Sequence, residues 1–135
     1  MALQRAAPRR SAIAGEKLEH APAPLDQAVL EQLLARPRGR ELLALYAEES
    51  RDIMTRLRQA VAQHDATAAR ETAHSLKGSS QYVGASQVAT LSAALEQQAR
   101  AGTLADADAL LAALEGEFAR VCQAIAVLSQ STRPQ

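Results

Sequence analysis

Between Asp26 and Ser129 the apolar residues keep a three- and four-residue spacing through five segments, separated only by short breaks. That period marks one face of an α-helix and is unlike the two-residue alternation of a half-buried strand. The first segment, Asp26 to Ala35, carries Val29, Leu30, Leu33 and Leu34, with Asp26 placed to cap its first turn. Arg36-Pro37-Arg38-Gly39 breaks it. The second, about Arg40 to Gln63, repeats Leu42, Leu43, Tyr46, Ile53, Leu57 and Val61. His64-Asp65 turns the chain into a third segment, capped by Asp65 and stopping near Gly84, the residue type that best tolerates a left-handed helix end. The fourth, Ser86 to Ala101, points Val88, Leu91 and Leu95 inward and closes at Gly102. The fifth, about Ala105 to Ser129, has the stripe Leu110, Leu111, Leu114, Phe118, Val121, Cys122, Ile125 and Leu128. Four long amphipathic helices on short turns bury their stripes against one another. The expected fold is therefore all-α, an antiparallel four-helix bundle with a short N-terminal capping helix.

A chain of 135 residues is long enough for one such core, expected over residues 25–129. Residues 1–24 hold Pro8, Gly15, Pro22 and Pro24 without a sustained period and read as a flexible arm or interdomain linker; residues 130–135 read as a flexible tail.

Composition removes several classes of function. The 15 basic and 15 acidic residues leave no net charge, and Arg5, Arg9 and Arg10 cluster in the arm, outside the helical segments, so nucleic acid is not an expected partner. No apolar run is long enough to span a membrane, and no apolar core follows the N-terminal arginines as it would in a secretory signal. The single cysteine, Cys122, forms no internal disulfide and falls on the apolar stripe, which fits a reducing, cytoplasmic setting.

The third segment carries the chemistry. Stepping about 100° per residue from His74 brings Arg70, Lys77, Gly78 and Gln81 within about 60° of it, with Glu71 and Thr67 flanking. The opposite face holds Ala69, Thr72, Ala73, Leu76, Ser79, Ser80 and Val83. A lone histidine is ordinarily packed or idle, and His20 and His64 read that way. His74 differs through its neighbours. Gly78 is placed mid-helix on the wet side, where glycine costs about 1 kcal/mol against alanine and improves no core packing. Such a position suggests clearance for an approaching protein. Lys77, one turn on, can offset negative charge appearing at the ring. A metal needs three or four ligands, and no second His or Cys lies three or four residues after His74, so no metal site is expected. Ser79 and Ser80 point inward, which makes serine nucleophile chemistry weak.

Ala73-His74-Ser75-Leu76-Lys77-Gly78-Ser79-Ser80, followed by Gly84-Ala85, resembles the signature of histidine-containing phosphotransfer (HPt) domains. Asp65, nine residues before the histidine, is similar to that family's acidic turn residue, and Val88, Leu91, Leu95 and Glu96 are similar to its following helix. The likeness spans roughly Leu25 to Leu128. It implies a four-helix bundle that carries a phosphoryl group between receiver-domain aspartates in a multistep phosphorelay, with no kinase activity and no ATP site. By position, His74 would accept the phosphoryl group, Lys77 would stabilise its oxygens and Gly78 would leave room for the docking receiver. Glu96, where the family often has Gln or Glu, would accept a hydrogen bond from Nδ1 and leave Nε2 free to attack. Arg70, Glu71, Gly78 and Gln81 would meet the partner. A neutral imidazole suits this work, its unperturbed pKa being about 6.5.

The resemblance also implies that the Mg²⁺ of the reaction belongs to the receiver, that response-regulator receivers and a parent sensor kinase are the partners, and that the domain is monomeric. At Gln81-Tyr82-Val83 the chain departs from the small or apolar residues common in the family; Gln81 and Tyr82 would either tune receiver choice or simply end the helix. Two other readings stand beside the relay. A chemotaxis-kinase-type phosphodonor domain is disfavoured by the ending soon after the fifth segment. A binding module without phosphorylation would have no need of His74 and Lys77. The proline-bearing arm favours the C-terminal domain of a hybrid sensor kinase, tethered through that parent to the inner membrane.

Overall fold

The computed structural model describes residues 22–131; residues 1–21 of the expected arm, His20 among them, and residues 132–135 of the expected tail lie outside the described residues. Five helices follow one another: α1 (Gln27–Leu34), α2 (Gly39–Ala62), α3 (Ala66–Val83), α4 (Ser86–Arg100) and α5 (Ala107–Ser131). No strand occurs among the described residues. The long helices pack in a ring, α2 on α3, α3 on α4, α4 on α5 and α5 back on α2, while the short α1 lies across α2 and α3. This is the capped bundle that the spacing predicts.

The ring closes over Leu43, Leu57, Leu76, Leu95 and Leu114, which are fully buried. Each comes from a different helical stripe, except that α2 supplies two, so a single core is shared by all four long helices. Burying a leucine stabilises by roughly 2 kcal/mol, and this shared core is the main term holding the bundle. Tyr46 adds a polar tie. Its ring meets Phe118 edge to face at 6.4 Å, and its hydroxyl shares a 2.8 Å hydrogen bond with the Ser80 hydroxyl on α3. Burial pushes the phenol up to about 12, so it stays protonated as part of the core.

The α3–α4 seam is built from small residues. Ala69 and Ala73 on α3 and Ala89, Ser92 and Ala99 on α4 are all buried where the two helices pack. Short side chains let the two backbones approach closely, which brings a polar side chain of α4 within reach of the outer edge of α3.

The helix ends explain the turns. Asp26 and Asp65 each accept a backbone N–H three residues on, Val29 at 3.1 Å and Ala68 at 3.0 Å, and so cap α1 and α3. His64 ends α2 with φ of 55°; its N–H bonds to Val61 O and that of Asp65 to Ala60 O. This paired closure gives His64 its place in the turn. Gly39, read from the sequence as part of a breaker, is buried at the first position of α2, where a Cβ would come within 2.0 Å of the Leu33 carbonyl.

Gly84 does two jobs. At φ of 83° it closes α3 through Ala85 N–H to Ser80 O, and its carbonyl accepts the Asp26 N–H at 2.7 Å, which docks the start of α1. A Cβ there would lie 2.9 Å from Val29 Cβ. Gly84→Ala should therefore lower unfolding free energy by about 1–3 kcal/mol, from left-handed strain and the displaced α1. Chemical denaturation checks this, and an unchanged midpoint would show that α1 is not seated through Gly84.

Candidate functional site

His74 stands midway along α3 with its side chain 67% exposed. The residues around it arrive for separate reasons. Arg70 and Glu71 precede it by one turn on the same helix, and Lys77 follows by one turn. Glu96 comes from α4, brought across by the close small-residue seam. Its side chain is only 5% exposed.

Three cations or cation-forming groups converge on that one carboxylate. His74 Nδ1 lies 2.8 Å from Oε2, Lys77 Nζ lies 2.8 Å from Oε1, and Arg100 Nη2 lies 3.0 Å from Oε2. The lysine hydrogen bond, opposed by burial and helped by the histidine, holds the Glu96 carboxyl below the ordinary carboxylate range. The group is therefore ionised at neutral pH. An ionised carboxylate only accepts hydrogen bonds, so Nδ1 carries the hydrogen and donates it. In a neutral ring the lone pair is then on Nε2, the nitrogen turned away from Glu96.

Arg70, Glu71, His74, Glu96 and Arg100 line one shallow concavity of about 310 Å³. Gly78 is exposed on the same side, and a Cβ built there meets nothing within 4 Å. Its lack of a side chain thus serves no contact inside the domain. Gln81 is also exposed but lines a different hollow, with Val29, Gly84 and Ser86. Tyr82 is half exposed and is taken up by Arg36, which hydrogen-bonds the phenol oxygen and lies 5.8 Å from the ring centroid. Both residues beyond the fourth turn are thus displaced from the immediate surroundings of His74.

The residue that sequence reasoning missed is Arg100. Its only sequence signal is the Glu96–Arg100 spacing of four, common on any exposed helix. Among the described residues no group of three or more His, Cys, Asp or Glu could hold a metal ion, and no helix is long and apolar enough to cross a membrane.

A buried carboxylate orienting an exposed imidazole, beside a side-chain-free surface, suits chemistry performed on a group delivered by another macromolecule. The model of the Hpt domain family matches residues 41–124, a stretch that contains the whole of α3 and α4.

The chain belongs to the Hpt domain family.

Among solved structures, histidine-containing phosphotransfer protein B (HptB) from Pseudomonas aeruginosa PAO1 is similar at 36% identity with a TM-score of 0.78, over 84% of this chain and 99% of that one. The HPT domain from the Hpt sensor hybrid histidine kinase of Shewanella is similar at 23% identity and a TM-score of 0.70, over 82% of this chain and 98% of that one, and speaks to the fold. No functionally curated protein matches. The Hpt domain is thus a phosphotransfer domain of two-component phosphorelays, a phosphocarrier whose counterparts are receiver domains.

Proposed function

We propose that His74 is the phospho-accepting residue of this Hpt domain, taking a phosphoryl group from a receiver aspartate and passing it to a second receiver. The observation that carries this is the hydrogen bond from Nδ1 to buried Glu96, which leaves the nucleophilic lone pair on exposed Nε2. In the forward step the Nε2 lone pair attacks phosphorus. An N–P bond forms, the P–O bond of the aspartyl phosphate breaks, and its electron pair leaves with the carboxylate. The proton stays on Nδ1, so the ring becomes cationic as it bonds, against a carboxylate already in place. Interactions that strengthen in the transition state are the ones that accelerate the step.

Lys77 binds Glu96 through one of the three hydrogens of its ammonium group, and the other two remain to meet phosphoryl oxygens. Arg70 and Glu71 border the His74 concavity and, with Gly78 and Gln81, would contact the receiver. No cofactor is assigned to the domain itself; Mg²⁺ would be supplied by the receiver, where it offsets phosphoryl charge during transfer.

The setting we favour is the C-terminal domain of a hybrid sensor kinase. The Shewanella neighbour belongs to such a kinase, and Pro8, Pro22 and Pro24 before the bundle suit a tether. A tether would raise the local concentration of a linked receiver. We place the monomeric domain in the cytoplasm, directly or through a membrane-anchored parent. Incubation with a phosphorylated receiver should load the domain with an acid-labile, base-stable label; a domain that takes up none is not a relay intermediate.

Gly78 gives a second test. Gly78→Gln should slow transfer about tenfold or more by obstructing the receiver, while raising domain stability by up to about 1 kcal/mol as an exposed helical glycine is replaced. Undiminished binding to the receiver would place Gly78 outside the interface.

A further inference from the structure

We propose that Arg100 is a positioning residue of this site, acting on the phospho-accepting imidazole through the carboxylate oxygen they share. The proposal rests on the reading of His74 as the nucleophile. Arg100 Nη2 and His74 Nδ1 lie 3.0 and 2.8 Å from the same Oε2, so the two nitrogens are within 5.8 Å of each other.

Glu96 orients the ring, but its charge brings a hazard. A buried carboxylate against Nδ1–H favours the doubly protonated imidazolium, in which Nε2 holds a hydrogen and has no lone pair to attack with. A neutral acceptor would orient the ring without that pull; a glutamate needs a counterweight. Arg100 supplies it in two ways. Its guanidinium competes for the oxygen that receives Nδ1–H, and its permanent positive charge lies close enough to oppose a second positive charge on the ring. Lys77 works on the other oxygen, Oε1, and so leaves Oε2 to the His74–Arg100 competition.

The remaining charges around the ring do not replace this role. Arg70 and Glu71, adjacent and opposite in sign, line the same concavity from α3. From α2, Arg56 shares a separate hollow with Glu71, Thr72 and Ser75. The residues that flank α1, Asp26 and Arg36, bond to Gly84 and Tyr82 at the far end of α3, beyond the His74 turn. Among the described residues, Lys77 and Arg100 are the permanently charged cations that pair with Glu96. The side chain of Arg100 is 59% exposed, so the bundle does not depend on it for packing.

The test is the pH dependence of phosphoryl transfer from a phosphorylated receiver to wild type, Arg100→Gln, Arg100→Lys, Glu96→Gln and the double variant Glu96→Gln/Arg100→Gln. In Arg100→Gln the acid limb should move to higher pH, with transfer about three- to tenfold slower near pH 6. The alkaline plateau should not fall, because a ring drawn harder by Glu96 is at least as good a nucleophile once it is neutral. Arg100→Lys should restore most of the wild-type profile. The double variant should follow Glu96→Gln alone, since without the carboxylate charge there is nothing to balance.

Nitrogen-15 NMR titration of His74, which needs no phosphodonor, should move in the same direction in Arg100→Gln. A uniform loss at every pH, superimposable wild-type and Arg100→Gln profiles, or an equal Arg100→Gln effect in the Glu96→Gln background would each overturn the proposal. Should wild type accept no label at all, the nucleophile reading fails by itself, and the NMR titration still decides whether Arg100 acts on the ring.

Discussion

His74→Gln should take up no label from a phosphorylated receiver, under conditions in which the wild-type domain is loaded. The glutamine amide can still donate to Glu96 Oε2, so the polar contact of the site survives while the nucleophilic nitrogen is gone. The side chain is largely exposed, and the change in unfolding free energy should stay within about 1 kcal/mol. Loss of transfer with an intact melting curve separates chemistry from folding. Label retained in this variant would place the acceptor elsewhere, and the phosphotransfer role of His74 would have to be abandoned.

Glu96→Ala should slow transfer about 10- to 100-fold, because the ring loses the acceptor that fixes its tautomer and direction. It should also cost roughly 1–3 kcal/mol of stability, since the residue is buried and is the common partner of Lys77 and Arg100. Glu96→Gln is the informative companion. Its side-chain carbonyl can still accept from Nδ1, so orientation is kept while the charge is removed, and the deficit should be much smaller. Equal deficits in the two variants would show that charge matters and orientation does not.

The same carboxylate ties stability to pH. Its folded pKa is depressed, first by Lys77, so its contribution is present above the ordinary carboxylate range and is lost as pH falls through the depressed value. Glu96→Gln should remove that part of the acid sensitivity of the fold.

The bundle was legible because helix period and capping chemistry are local. Asp26, Asp65 and Gly84 announce helix ends through properties of single residues, and the structure uses them as such. The start of α5 was less legible. It begins at Ala107, two residues beyond the expected Ala105, where Thr103 Oγ1 accepts the Ala105 N–H and the distant Gln98 side chain accepts that of Asp106. The second of these bonds crosses from α4 and leaves no local trace. Core members such as Ser50 and Ser92 were hidden for a related reason: they are buried by the closeness of neighbouring helices, and hydropathy does not mark them, whereas the inward placing of Ser80 followed from its position on the helix wheel.

The site shows the same division. The stripe of Arg70, His74, Lys77, Gly78 and Gln81 follows from one helix's geometry, although Lys77 is half-buried against Glu96. Glu96 could be singled out only through the family likeness, because its burial against His74 depends on how tightly α3 and α4 approach. Arg100 lacked even that support. Its importance lies in sharing an oxygen with a residue on another helix, a relation that exists only after folding.

The most direct test of the central claim is where the phosphoryl group sits on the loaded domain. Phosphorus–nitrogen NMR correlation on nitrogen-15-labelled protein, after transfer from a phosphorylated receiver, should show phosphorus bonded to Nε2 of His74 and hydrogen retained on Nδ1 against Glu96. Phosphorus bonded to Nδ1, or to any other residue, would contradict the account.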